Sequence, residues 1–575
     1  MKRRRRGSCH GEGSCGRARA SVLGPLPAPP AVGVLLILVL AALFWPGVAG
    51  AATDEISKAE AVRVAGRDPN AVKERELNGP LAPVAKVVDG QWEVGYFAAG
   101  DQVALVIVDR ESGEVRESWT GEQVAWKMAR GYSGAFGHKL NAPYVFLPLC
   151  VLFLLGLVDW RRPRRVANLD LLVLLGFGVS HFFFNRGEIG VSVPLQYPVL
   201  LYLLGRALWI GFRGRGGGLR PVWPVAWMLV AALFLMGFRV GLNLADSGAI
   251  DVGYASVVGA DRVSHGEPIY DSFPDDVAQG DTYGPVNYYA YVPFELVWPW
   301  SGSWDDLPAA HGAAVGFDLA TFAFLILLGF RIRPGPEGRR LATTLAFGWA
   351  AFPYTAFALE SNSNDTLVAA LLVATLLLLA RTVARGALAS LATFAKFAPA
   401  LLAPMLLTYK APAPPGEDTL RARFTFSGVL TRRNGCLAFL LGFVLVGVAV
   451  MLWPALDPGL HTFYDRTLAY QSDRDSPFSI WGQVPSLEPL RLAILAATAA
   501  LSLFLAFRPR RKSPVQVAAL GAALLISLQL TMNHWFYLYI VWFYPLLLIA
   551  TASLESGPAY RAMDPPSKRP APSPA

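Results

Sequence analysis

Charge is scarce in this chain. Only 16% of its 575 residues are Asp, Glu, Lys or Arg, against about 25% in soluble globular proteins. That deficit, beside 54% hydrophobic residues, 33 Phe and 16 Trp, excludes an ordinary soluble enzyme, a disordered chain and a coiled coil. Cysteine is scarce too, and four residues supply no disulfide framework. Cys150 and Cys436 lie in apolar runs and read as small core residues; Cys9 and Cys15 flank His10 in a basic leader. The Gly-x-x-x-x-Gly-Lys-Ser/Thr run of a P-loop is missing, which argues against ATP-driven transport within the chain. Alternating ten-residue segments are missing as well, which excludes an outer-membrane barrel. Lysine is rare among 51 basic residues. With abundant Ala, Gly and Pro, that arginine bias points to a GC-rich genome and so to a bacterium.

What is present begins with MKRRRR, then an apolar run at Ala31–Trp45, then Ala49-Gly-Ala51. Basic, apolar and small segments in that order form a signal peptide or a retained anchor, and either sends the next segment outside. Residues 1–51 are read as this leader, and residues 52–140 as a polar island. Ile56, Ala59, Val62 and Ala65 predict a short helix there. The runs 84–88, 92–97, 103–109 and 114–119 predict strands, with turns at Asp89-Gly90, Gly100-Asp101 and Ser112-Gly113. A further helix is expected from Gly121 to Arg130. The pattern WEVGYF…VDRESGEV resembles the PepSY domain. This implies a small α+β extracytoplasmic module, regulatory or binding, without an active site.

Apolar spans follow at 143–159, 168–184, 193–212, 222–243, 308–330, 340–357, 365–381, 435–455, 490–507, 514–531 and 535–552. Basic connections at 161–165, 213–220, 331–340 and 508–512 belong to the cytoplasm, and the net charge of +9 reflects a bilayer partner, with no nucleic acid expected. The 244–307 loop holds eleven Asp or Glu and one Arg and belongs outside. Residues 387–409 break the alternation of sides. They are apolar but carry Lys396, Pro399 and Pro404, and are expected to form a re-entrant pair of half-helices with Lys396 near the turn. Broken backbone at membrane depth is tolerated only where protein or a wet cavity surrounds it. A lysine there is a candidate functional group, the alternative being a side chain snorkelling from a helix end. Residues 141–220 supply extra spans, 221–555 a core with outer loops 244–307 and 456–489, and 556–575 a disordered cytoplasmic tail.

The 244–307 loop carries the most chemistry. Asp251-x-x-Tyr254 opens an amphipathic helix with Val252, Ala255, Val258 and Gly259 on one face and Ser256 and Asp261 on another. The helix is expected to lie flat at the interface. Gly266-x-x-x-Tyr270, GDTYGPVNYYAYVPF (280–294) and WPWSGSW (298–304) follow, a density of Tyr and Trp that marks the membrane–water boundary. A span ending in an acidic loop, D-x-x-Y, G-x-x-x-Y and Y-x-P-F are, in that order, similar to the GT-C superfamily of membrane glycosyltransferases. The nearest likeness is to glycosyltransferase family 87 (DUF2029), which includes polyprenol-phosphate-mannose-dependent mannosyltransferases. Ser361-Asn-Ser-Asn-Asp365 stands where that family has a polar GQxN turn, and ATFAKFAPALLAP (392–404) resembles its K-x-x-P hairpin. The resemblance covers residues 220–550. The chain departs from the family in that turn, in the PepSY-like region and in three extra spans.

The apolar runs predict an all-α polytopic membrane protein of about 11–12 transmembrane helices plus the re-entrant pair, and the resemblance implies that this fold is GT-C-like. It implies transfer of a sugar, mannose or similar, from a polyprenyl-phosphate donor. The acceptor would be a cell-envelope glycan or glycolipid on the outer face of the plasma membrane. Such transfer needs a base for the acceptor hydroxyl and cations for the leaving phosphate. By resemblance the base is Asp251, with Asp246 the alternative; either acid could instead cap the loop helix. Tyr254 and Asn364 are candidate substrate-binding residues, and Lys396, Arg466, Arg474 and His534 are candidate phosphate-binding cations. The lipid-linked sugar is a substrate, and no cofactor is expected. No metal is expected either: His265 and His461 lack ligand spacing, and Asp473-Arg-Asp475 offers only a DxD-like spacing. A polytopic transporter, or a lipid-handling or sensor protein regulated by the PepSY-like domain, is the alternative. Repeated halves or acids in several spans would favour it. The acids cluster in outer loops, with Asp318 the main exception.

Overall fold

The computed structural model describes residues 55–88, 90–131, 136–214, 217–410, 426–473 and 476–553. The leader 1–51 and the tail 556–575 lie outside the described residues. Among the described residues the chain is mainly helical and carries one four-stranded antiparallel sheet in strand order β1-β2-β3-β4.

The sheet is β1 (Ala82–Val88), β2 (Gln91–Ala98), β3 (Asp101–Asp109) and β4 (Val115–Thr120). Tight turns join the strands, and Gly90, Gly100 and Gly113 take the positive φ that those turns require. Val94, Tyr96, Ala104, Val106 and Val108 are buried. Helix α1 (Lys58–Ala65) packs on β1–β3 and α2 (Pro69–Asn78) on β3 and β4. Their fully buried Ala61, Ala65 and Ala71 let the helices sit close to the sheet. The helix expected over 121–130 does not form. A single turn, Glu122–Ala125, gives way at Trp126 to a 3-10 turn, Lys127–Ala129. The reason is Arg130, which is buried and donates to the Gln123 and Val124 carbonyls at 2.8 and 3.2 Å. It thereby occupies the acceptors that a continuing helix would use.

Among the described residues, six helices are long and apolar enough to cross a membrane: Val166–Phe184, Ile189–Arg213, Val225–Asp246, Pro308–Ile332, Gly435–Ala469 and Pro485–Phe507. Five shorter apolar helices accompany them, Pro143–Leu157, Asp365–Leu377, Ala398–Leu407, Pro514–Gln529 and Tyr537–Ala552. Leu437, Leu441, Val444, Leu445, Val448 and Leu452 stand exposed along one helix. A stripe of that kind is stable against lipid and unstable against water. The span expected over 340–357 is broken. Gly335–Ala351 and Pro353–Glu360 are separate helices, because Pro353 has no N–H to continue the ladder.

Residues 382–409 form a hairpin. Thr382–Ala395 ends at Lys396, whose backbone is extended (φ −141°, ψ 134°), and short turns at Ala398–Leu402 and Ala403–Leu407 bring the chain back. The ends meet where the Arg385 guanidinium stacks over the Tyr409 ring, 5.2 Å from its centroid. The Lys512 N–H donates to the Lys410 carbonyl at 3.0 Å, so the return strand ends beside the basic 508–512 segment. Small residues allow Thr382–Ala395 to pack against Phe426–Pro454. A Cβ on Gly386 would come within 2.1 Å of the Phe439 carbonyl, and one on Gly442 equally near that of Val383.

Candidate functional site

The helix Asp251–His265 begins against the polar turn 361–365. The Ile250 N–H donates to the Ser361 carbonyl at 2.9 Å, and the Gly248 N–H to that of Glu360 at 3.4 Å. Gly253 is required here, since a Cβ would lie 2.3 Å from the Asn362 carbonyl oxygen. Asn362 itself has φ +47°. Its side chain secures that conformation, accepting from Asn243 at 2.8 Å and donating to Ser247 at 3.0 Å. Asp251 occupies the first helical position and is exposed. A carboxylate there is favoured by the helix dipole.

All five residues of the turn are buried. Behind it, Asp365 accepts the Lys396 ammonium and, at 2.7 Å, the Trp542 indole N–H. The same ammonium lies 5.1, 5.6 and 5.2 Å from the ring centroids of Tyr283, Tyr539 and Trp542. Lys396 therefore combines one ion pair with an aromatic cage. Several buried atoms along 360–366 have no protein partner: both Glu360 carboxylate oxygens, Ser361 Oγ, Asn364 Oδ1, Asp365 Oδ2 and Thr366 Oγ1. Each such group costs about 1–3 kcal/mol if left dry. Their concentration in one segment suits a place that takes up water or a polar ligand.

Asn364 is buried in the turn and donates to Ser256 at 3.3 Å. His534 lies one ring from the cage. Its Nδ1 is 2.9 Å from Ser476 Oγ and its ring is 6.5 Å from that of Tyr539. Three other candidates are engaged elsewhere. Tyr254 stacks on Trp304 at 4.7 Å and donates to Asp276 at 2.9 Å. Burial, and then the hydrogen bond to Asp276, push its phenol well above the usual range. Arg466 pairs with Asp281 through Nε at 2.7 Å and Nη2 at 2.8 Å, and donates to the Ala278 carbonyl. Arg466 stands in the Gly435–Ala469 helix and not in the loop expected over 456–489, so the contact ties that helix to the 244–307 segment. Asp246 faces His138 and Lys139, each at 3.5 Å. Arg474 and Asp475 lie outside the described residues. The expected amphipathic face of 251–265 is corrected: Gly253 through Ala260 are all buried. Ser256 is enclosed because Asn287 donates to it at 2.9 Å.

Sequence reasoning did not single out Asp365 as the partner of Lys396, nor the three rings around it. It also did not weigh Arg239, which is buried and bonded to Asp318 at 2.9 Å and to the Trp349 and Thr355 carbonyls. Asp170 is likewise buried and paired with Arg206 at 2.8 Å. An arginine inside an apolar span was the available signal in both cases. Among the described residues, no three His, Cys, Asp or Glu side chains group as a metal site would require. No protein-family model matches this chain, and no curated protein sequence is significantly similar to it.

Proposed function

We propose that this protein is a polytopic membrane glycosyltransferase of the GT-C type, similar to family 87. It would transfer mannose or a similar sugar from a polyprenyl-phosphate donor to an envelope glycan or glycolipid on the outer face of a bacterial plasma membrane. The observation that carries this reading is the polar turn 361–365, with the head of the Asp251–His265 helix against its start and Lys396 paired to its last residue. It supports a carboxylate base at the mouth of a polar site with a cation behind it. In the reaction Asp251 takes the acceptor hydroxyl proton, the acceptor oxygen bonds to the anomeric carbon, and the bond to the donor phosphate breaks. Lys396 offsets charge on the departing phosphate, and His534 stands near enough to the cage to help place it. Displacement of this kind inverts the anomeric centre. The PepSY-like domain would bind or regulate.

The test is incubation of the purified full chain with polyprenyl-phosphate mannose and an envelope glycolipid fraction. Release of polyprenyl phosphate that depends on the acceptor is the expected result. A transporter is the second reading, favoured by the buried Arg239–Asp318 pair with Glu360 close by. Substrate uptake by proteoliposomes without sugar transfer would place it first.

A further inference from the structure

At the opposite end of Val225–Asp246 from Asp246 lies a cavity of about 400 Å³, lined by Arg161, Arg162, Arg220, Arg340, Trp223 and Asp159 among others. The helix has 22 residues, so the two places are about 33 Å apart. Four arginines and one aspartate line this space. Asp159 is buried and faces Arg165 at 3.5 Å, so its charge is offset from behind. Arg340 is fixed by its bond to the Pro221 carbonyl. Arg161, Arg162 and Arg220 are exposed. The excess of positive charge round the cavity favours an anion within it. The backbone adds to this, because the cavity wall at Pro221–Val225 leads into the positive end of a helix.

The rim fixes the cavity's depth. Trp160 and Trp223 both donate to the Leu155 carbonyl, at 3.2 and 2.8 Å, and both indoles are exposed. Trp227 is exposed one turn along the helix. Anchored indoles of this kind lie at the level of lipid headgroups.

We infer that this cavity binds the phosphate headgroup of an anionic phospholipid, with Arg161, Arg162, Arg220 and Arg340 as the ligands. Guanidinium forks match phosphate oxygens in pairs, and basic pockets between transmembrane helices take such headgroups. The indoles pack beside the glycerol and upper acyl chains. A free anion offers the same oxygens but gains nothing from the rim. The site is separate from the proposed transfer chemistry and does not depend on it.

Native mass spectrometry of the full chain, titrated with cardiolipin, phosphatidylglycerol or phosphatidylcholine, tests this. The intact protein should bind the two anionic lipids in preference to phosphatidylcholine; equal binding of all three would overturn the inference without any variant. Arg161→Gln combined with Arg220→Gln should weaken the tightest anionic-lipid binding at least about tenfold, as expected when charge-assisted hydrogen bonds are lost. Arg164→Gln, from the same basic run but off the cavity, should leave it unchanged. Unaltered binding in the double variant contradicts the site. Displacement of the lipid by millimolar inorganic phosphate would show that the free anion is the ligand and overturn the lipid assignment.

Discussion

Lys396 and Asp365 form a buried ion pair that joins the break in the 382–409 hairpin to the head of the Asp365–Leu377 helix. Each partner accounts for the other. An ammonium at that depth is expensive without a counter-charge, and the carboxylate is equally so. The break at Lys396 also puts the ammonium under three aromatic rings.

Removing one member should leave a buried charge uncompensated. Lys396→Met and Asp365→Asn should each destabilise the protein by about 3–5 kcal/mol. The double replacement Lys396→Met with Asp365→Leu should recover much of that loss. Thermal unfolding of detergent-purified protein is the measurement. Single variants as stable as the parent would show that the pair is not coupled.

The hairpin makes a prediction about sides of the membrane. Its ends meet at Arg385 and Tyr409, and a re-entrant hairpin predicts that both lie on one side. In a background freed of native cysteines, a Cys at Ser301 should react with an impermeant reagent added outside, and one at Arg510 should not. Both positions are exposed, so only sidedness separates them. Outside labelling at Arg510 would mean that 387–409 spans the membrane.

The sheet was legible because short alternating runs sit between Gly-containing turns, and each strand begins or ends within two residues of its expected bounds. Helix α2 was missed although Asp68-Pro69 is a readable start, with Asp68 accepting from the Asn70 N–H at 2.9 Å. Its polar composition gave no periodic apolar face. Six of the expected spans were legible from their apolar runs; the others are shorter helices or, at 340–357, broken at Pro353. At the site, Asp251, Asn364 and Lys396 were visible as residues, but their grouping was not. Asp365 lies 31 residues from Lys396 and 177 from Trp542, and no local pattern encodes pairings of that range. Arg466 looked like a free cation because Asp281, 185 residues away, could not be matched to it.

The small α+β domain should fold alone, since its sheet and both helices form one core. Its acid sensitivity should run through Asp109. The Ser112 N–H and then the Arg116 guanidinium hold that carboxyl far below the ordinary carboxylate range. A depressed folded value means that the charged form stabilises the fold. The contribution is complete above the unfolded value of about 3.9 and is lost as pH falls below it. Urea midpoints of residues 55–131 should therefore fall below about pH 4, and Asp109→Asn should flatten that fall. A slope unchanged in the variant would assign the acid sensitivity to other carboxylates.

The most direct test of the proposed chemistry is sugar transfer by Asp251→Asn. The amide keeps the size and polarity of the side chain but cannot take a proton. Loss of a general base costs about 10²–10⁴-fold in rate. Asp251→Asn should insert and fold as the parent does, while losing transfer from polyprenyl-phosphate mannose to that extent. Asp246→Asn, whose carboxylate faces His138 and Lys139, should keep most activity. Transfer by Asp251→Asn at the parent rate would contradict the account, and its loss in Asp246→Asn alone would move the base to that residue.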